Sequence, residues 1–169
     1  LQQLSKDEPV INGRYIVLAF VAVASPVSAA KQPLGIFSLW GAFKDGSRCW
    51  AVAEPEGAAR RSGARAFASV AWSTRAERGQ VSFRLARAKR QGSAVLLRID
   101  ARLFQLIGGG DTAWAENAHA DADIVAAMRT GVTMTIETRA ENGASLRDTY
   151  PLRGAATAID AAAIACSGG

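Results

Sequence analysis

The chain is short of the side chains on which most catalysis and metal binding depend. Its 169 residues include two cysteines, Cys49 and Cys166, and one histidine, His119. A Ser-His-Asp device would need His119 to meet Ser62, Ser69, Ser73, Ser82, Ser93 or Ser145, and none of these serines sits in a nucleophile-elbow sequence. The triple glycine Gly108-Gly109-Gly110 is followed by Asp111 and not by Lys-Ser/Thr, so it reads as a hairpin exit instead of a phosphate loop. His119 does lie close in sequence to Asp111, Glu116, Asp121 and Asp123, an oxygen-rich group able in principle to hold a cation or supply an acid/base pair. Their spacing matches no metal loop, however, and Asp121 and Asp123 suit the acidic start of a helix, where carboxylates complement the dipole. The sequence therefore assigns no catalytic, cofactor-binding or metal-ligating residue. A metal-dependent or acid/base envelope hydrolase working through the Asp111 to Asp123 region is the competing reading.

No apolar run reaches membrane-spanning length either. Residues 15–24 carry Ile16, Val17, Leu18, Phe20 and Val21, well under the ~20 residues a bilayer span needs. Lys6 and Arg14 precede this run, Ser25 and Pro26 end it, and Ser28, Ala29 and Ala30 supply small residues after it. That is the pattern of a secretory leader, cleaved after Ala29 or Ala30. The expected organisation is a signal peptide over residues 1–30 and a single mature domain over 31–169. About 140 residues suffice to bury a core without metal or multiple bridges. The expected compartment is the periplasm, with outer-membrane association or secretion as variants of it.

In an oxidising compartment two cysteines pair in only one way, Cys49 with Cys166. A bridge closing so long a loop contributes on the order of 4–5 kcal/mol in the chain-entropy model.

The formal net charge is +5. Arginines outnumber lysines sixteen to four, and they are dispersed, from Arg60 and Arg61 through Arg84, Arg87, Arg90, Arg98 and Arg102. Nucleic-acid tails instead gather such charge in one block, so nucleic acid is not an expected partner. Anionic envelope polymers or lipid head groups are within reach of such a field.

The period of a half-buried strand dominates the chain beyond residue 35. Residues 36–43 and 48–53 read as a hairpin turning at Lys44-Asp45-Gly46-Ser47, followed by a polar loop over residues 54–63. Ala66, Ala68, Val70 and Trp72 share one register with Phe67 on the other, and a turn ends at Gly79. Val81, Phe83 and Leu85 face one way, Ser82 and Arg84 the other. Residues 95–99 and 104–106 form a hairpin turning near Asp100-Ala101, and residues 112–115 make a short edge strand carrying Trp114. Ile124, Val125 and Met128 recur at helical spacing and Gly131 stops the helix. Val132, Met134 and Ile136 alternate, Asn142-Gly143 makes a hairpin turn, residues 146–152 return, and the Ala-rich residues 154–165 form a helical segment ending at Cys166. Eight or nine strands with few helices indicate a mainly β antiparallel sandwich. Of the four tryptophans, Trp40 or Trp50 is expected beside the disulfide and Trp114 at the surface.

Ala126-Ala127-Met128-Arg129-Thr130-Gly131, the Met134-Thr135-Ile136 strand, and Asp148-Thr149-Tyr150-Pro151-Leu152-Arg153-Gly154 leading to Cys166 resemble the invasion-associated locus B family. So do a Trp-containing strand over residues 37–43, the pair Cys49-Trp50 and the dipeptide Glu54-Pro55. The resemblance spans residues 34–166. It departs at Ala155-Ala156, where family members commonly carry phenylalanine after the glycine. It implies an exported, immunoglobulin-like β-sandwich of the alpha-proteobacterial envelope, in some members associated with the outer membrane and with host-cell entry. The expected function is a non-catalytic binding or interaction module for an envelope or external protein or an anionic ligand, with no cofactor.

Overall fold

Alternation of apolar and polar residues is realised as ten strands and two helices. In chain order they are β1 (Gln32–Phe37), β2 (Trp40–Asp45), β3 (Arg48–Ala53), β4 (Phe67–Ser73), β5 (Ala76–Arg84), β6 (Val95–Ile99), β7 (Arg102–Gly109), β8 (Thr112–Trp114), α1 (Ala118–Thr130), β9 (Thr133–Arg139), β10 (Ser145–Pro151) and α2 (Ala155–Ser167). The computed structural model describes residues 31–57, 65–73 and 76–167. The leader expected over residues 1–30, and part of the expected polar loop, lie outside them.

The strands form one hydrogen-bonded series, β1-β2-β3-β4-β5-β8-β7-β6-β9-β10, with every pairing antiparallel. The fold is thus mainly β and sandwich-like. Inward side chains from both ends of the series, Ala42, Ala51, Val70 and Phe83 at one and Leu97, Ile136 and Tyr150 at the other, belong to a single buried cluster. Alternation alone dictates this, because in a strand only every second side chain can reach the core.

Helix α2 covers the inward face of the first three strands. Ala155, Ala158, Ile159, Ala162 and Cys166 are buried along it, and small residues there let the helix lie close to the sheet. Three long-range ties fix it. Cys166 is bonded to Cys49 with Cα atoms 5.9 Å apart, Lys44 Nζ donates to the Ala165 carbonyl at 2.8 Å, and Gly154 packs against the backbone of Phe37. The fully buried Trp40 donates its indole N–H to the Pro151 carbonyl at 3.0 Å. Leaving that donor unmatched in the core would cost about 1–3 kcal/mol.

Five local expectations are corrected. Residues 36–43 are two strands, because Ser38 and Leu39 form a tight turn with Ser38 at φ 59°. No glycine, asparagine or proline marks it; it is held from afar by Arg153 Nε donating to Ser38 Oγ at 2.8 Å. Gly79 is not a turn residue but lies inside β5, where a Cβ would come within 2.6 Å of Trp72 Cζ2. β8 is not an edge strand, since it sits between β5 and β7. Trp50 does not pack by the disulfide: it faces outward, and Trp72, the register partner of Cys49, takes the place beside the bridge. Val132 precedes β9 and is exposed. Its N–H and that of Thr133 are both held by the Asp100 carboxylate at 3.0 Å, which accounts for Asp100 standing at φ 49° in the β6–β7 turn.

Candidate functional site

The structure does not assemble the acidic residues around His119 into one site. His119 stands on the first turn of α1 with its side chain 89% exposed, 3.4 Å from Asp123 one helical turn on. Asp111 is engaged elsewhere, pairing with Arg84 at 2.7 Å. Asp121 faces the sheet, where it accepts the N–H of Val81 at 2.8 Å. That strand residue precedes the point where β8 takes over as partner of β5, so the carboxylate satisfies a donor the sheet leaves open. Burial raises the Asp121 pKa above its ordinary value, opposed by the Val81 hydrogen bond and by the charge of Arg78. The cap of α1 is Asn117, whose side chain accepts from the N–H groups of His119 and Ala120, both at 3.0 Å. Among the described residues no three His, Cys, Asp or Glu side chains come together in a way that suits a metal ion.

A different feature stands out on the outward face of β1–β4. Here several of the side chains that the strand period points away from the core are also apolar. Ile36 pairs in register with Gly41, Gly41 with Val52, and Phe43 with Trp50. The rings of Phe43 and Trp50 stack with centroids 5.9 Å apart. Ile36, Leu39, Phe43, Val52, Pro55 and Phe67 bound an open groove of about 1200 Å³, with Trp50 stacked behind Phe43. Ile36 is 70% exposed and Leu39 52%. Gly41 makes the floor, since a Cβ there would lie 2.8 Å from the Phe43 ring and 3.1 Å from Ile36 Cδ1. Glu54, Glu56, Arg65 and Arg84 also line the groove, with Arg65 3.5 Å from Glu54. Further along the same face Ser69 and Ser82 share a hydrogen bond at 2.9 Å, and beyond them Trp114 and Ile107 are paired in register and exposed.

This groove was not read from the sequence, although a signal was present: Phe43, Trp50, Val52 and Phe67 are large apolar residues in the phase opposite to the core. A strand with one buried face needs only polar residues there. Trp114 meets its expectation as the exposed tryptophan, at 41%.

The fold and this surface define a disulfide-tied antiparallel β protein with an apolar groove on the outward face of its first strands. Residues 41–163 match the family described as invasion associated locus B (IalB) protein, and the chain belongs to that family. Among solved structures, the crystal structure of invasion associated protein B from Bartonella henselae is similar in fold. Its TM-score is 0.60 at 17% sequence identity, covering 80% of this chain and 98% of that one. A comparison with curated protein sequences finds no match.

Proposed function

We propose that the chain is an exported, non-catalytic binding module whose protein partner seats apolar side chains in the groove between Leu39 and Phe67. The observation that carries this reading is the apolar outward face of β1–β4. α2 already covers the inward face of these strands, so Ile36, Leu39, Phe43 and Val52 are surplus to the core they border. Contiguous apolar surface of that kind on a soluble domain marks an interaction site. The fold by itself transmits no activity, and the separate engagements of Asp111, Asp121 and Asp123 support a structural use of each carboxylate.

Two experiments test the reading. Crosslinking in the native envelope is expected to trap a discrete partner with the wild-type chain and to lose it in Val52→Glu. Retention of the same species in a folded Val52→Glu chain would place the partner elsewhere. The protein is further expected to turn over no esterase, phosphatase, peptidase or glycan substrate, with or without divalent metal. Reproducible turnover abolished by His119→Ala would establish the hydrolase reading instead.

A further inference from the structure

A second surface lies away from the groove, where the segment following β5 meets the β9–β10 turn. Lys89 bridges to Ala140, the Arg90 N–H donates to the Arg139 carbonyl at 2.8 Å, and the Glu141 N–H donates to the Ala88 carbonyl at 3.1 Å. These backbone bonds bring Arg87, Lys89, Arg90 and Arg139 onto one corner, although the sequence holds Arg139 far from the rest. Two guanidinium groups converge on a single residue. Arg139 Nη1 donates to the Gly143 carbonyl at 3.3 Å, and Arg90 Nη1 lies 3.9 Å from where a Gly143 Cβ would stand.

Among the described residues Arg65, Arg84, Arg129 and Arg147 each have a carboxylate partner. Arg87, Lys89, Arg90 and Arg139 have none within ion-pair distance, and Glu141 is the carboxylate carried by the same turn. The corner therefore carries four cationic side chains against the one carboxylate of Glu141.

We infer that this corner docks on the phosphate head groups of an anionic lipid surface. The geometry favours a broad surface over one bound ion. The arginines are exposed, Arg87 and Arg90 on the segment after β5 and Arg139 at the end of β9, and the shallow cavity beside Arg87 is lined otherwise by Ala88, Ala140, Glu141 and Asn142, with no buried basic group. A single anion held by exposed guanidiniums gains little in high dielectric, whereas a charged plane meets Arg90 and Arg139, which adjoin at Gly143, together, each adding about fivefold in affinity. Planar guanidiniums also suit phosphate oxygens through paired N–H donors. The inference does not depend on the groove: either surface can fail without the other.

The test uses protein purified from its own cells, as those cells process it, in co-sedimentation with two kinds of vesicle. Binding is expected to vesicles of equal parts phosphatidylcholine and phosphatidylglycerol, and not to phosphatidylcholine alone. Arg90→Gln with Arg139→Gln should weaken it about twentyfold, while Arg48→Gln at the start of β3 leaves it near wild type. Raising salt should weaken the wild-type interaction as the Debye length shortens. Equal binding to both vesicles, or an equal loss in Arg48→Gln, would overturn the inference. So would full competition by millimolar inorganic phosphate, which would mark an ion site, or equally tight binding of duplex DNA with the same dependence on Arg90 and Arg139. The salt series reads the same question independently should the double variant fold poorly.

Discussion

On the outward side of β2–β3 the register partners are Gly41 with Val52 and Phe43 with Trp50. On the outward side of β6, β9 and β10 they are Leu96 with Glu137, Arg98 with Thr135, and Glu137 with Arg147. The second face carries polar pairs: Glu137 and Arg147 pair at 2.7 Å, and the hydroxyls of the buried Thr135 and its neighbour Thr149 lie 3.5 Å apart. The first does not, although both belong to one sheet and both turn their other side to the same core. The difference lies in what α2 and the disulfide do. They bury and staple the inward side of β1–β3, so this end needs nothing from its outward residues for stability, and its apolar outward residues serve something other than the fold.

The comparison breaks most severely at the staple. Cys166→Ser should cost about 2–5 kcal/mol and lower the melting midpoint by on the order of ten degrees. Hydrogen exchange in that variant should rise first in β1–β3 and α2, with β6, β9 and β10 protected longer. Uniform exchange across both ends would show that the bridge does not distinguish them.

Next comes the turn that holds Leu39 at the groove mouth. Gly154 stands at φ 90°, and a Cβ there would overlap the Phe37 carbonyl oxygen. Gly154→Ala should lose about 1–3 kcal/mol and loosen the Ser38-Leu39 turn. Wild-type stability in a thermal melt would mean that the close approach is not needed.

Side chains on the outward faces should matter less to the fold. Removing the exposed pair partner in Arg147→Ala should change stability by about 0–1 kcal/mol. Val52→Thr should likewise stay near wild type in a denaturant titration. A large loss at Val52 would show that the groove residues belong to the core after all.

The smallest effect is the pH response of Asp121. Its raised native pKa means the folded chain holds this proton more tightly than the unfolded one. Its contribution to stability is therefore fully present below the unfolded carboxyl value and is lost as pH rises through the raised native value. Asp121→Asn, which keeps an acceptor for the Val81 N–H, should gain on wild type across that window. An unchanged difference between the two from acid to neutral pH would remove burial as the cause of the shift.

The strand period was legible wherever one register held the core: Val81, Phe83 and Leu85, or Ala68, Val70 and Trp72, are buried as alternation requires. Asn142-Gly143 supplied its turn, with Gly143 at φ 81°. What was missed rests on partners distant in sequence. The Ser38-Leu39 turn depends on Arg153 and Gly154, Gly79 depends on the Trp72 ring, and the position of β8 depends on pairing with both β5 and β7. Arg87 and Arg139 meet through the bridge of Lys89 to Ala140 and the backbone bonds of Arg90 to Arg139 and Glu141 to Ala88. The groove was missed for another reason. Off-phase Phe43, Trp50, Val52 and Phe67 were legible as residues, but alternation sorts side chains by direction and does not say whether the outward side is wet.

The most direct test places a photo-activated crosslinking residue at Val52 on the apolar outward face, or at the exposed Arg147 on the polar one, in the chain expressed in its own cells. A discrete crosslinked species is expected from position 52 and none from position 147. No species from position 52, or equal yields from both positions, would contradict it.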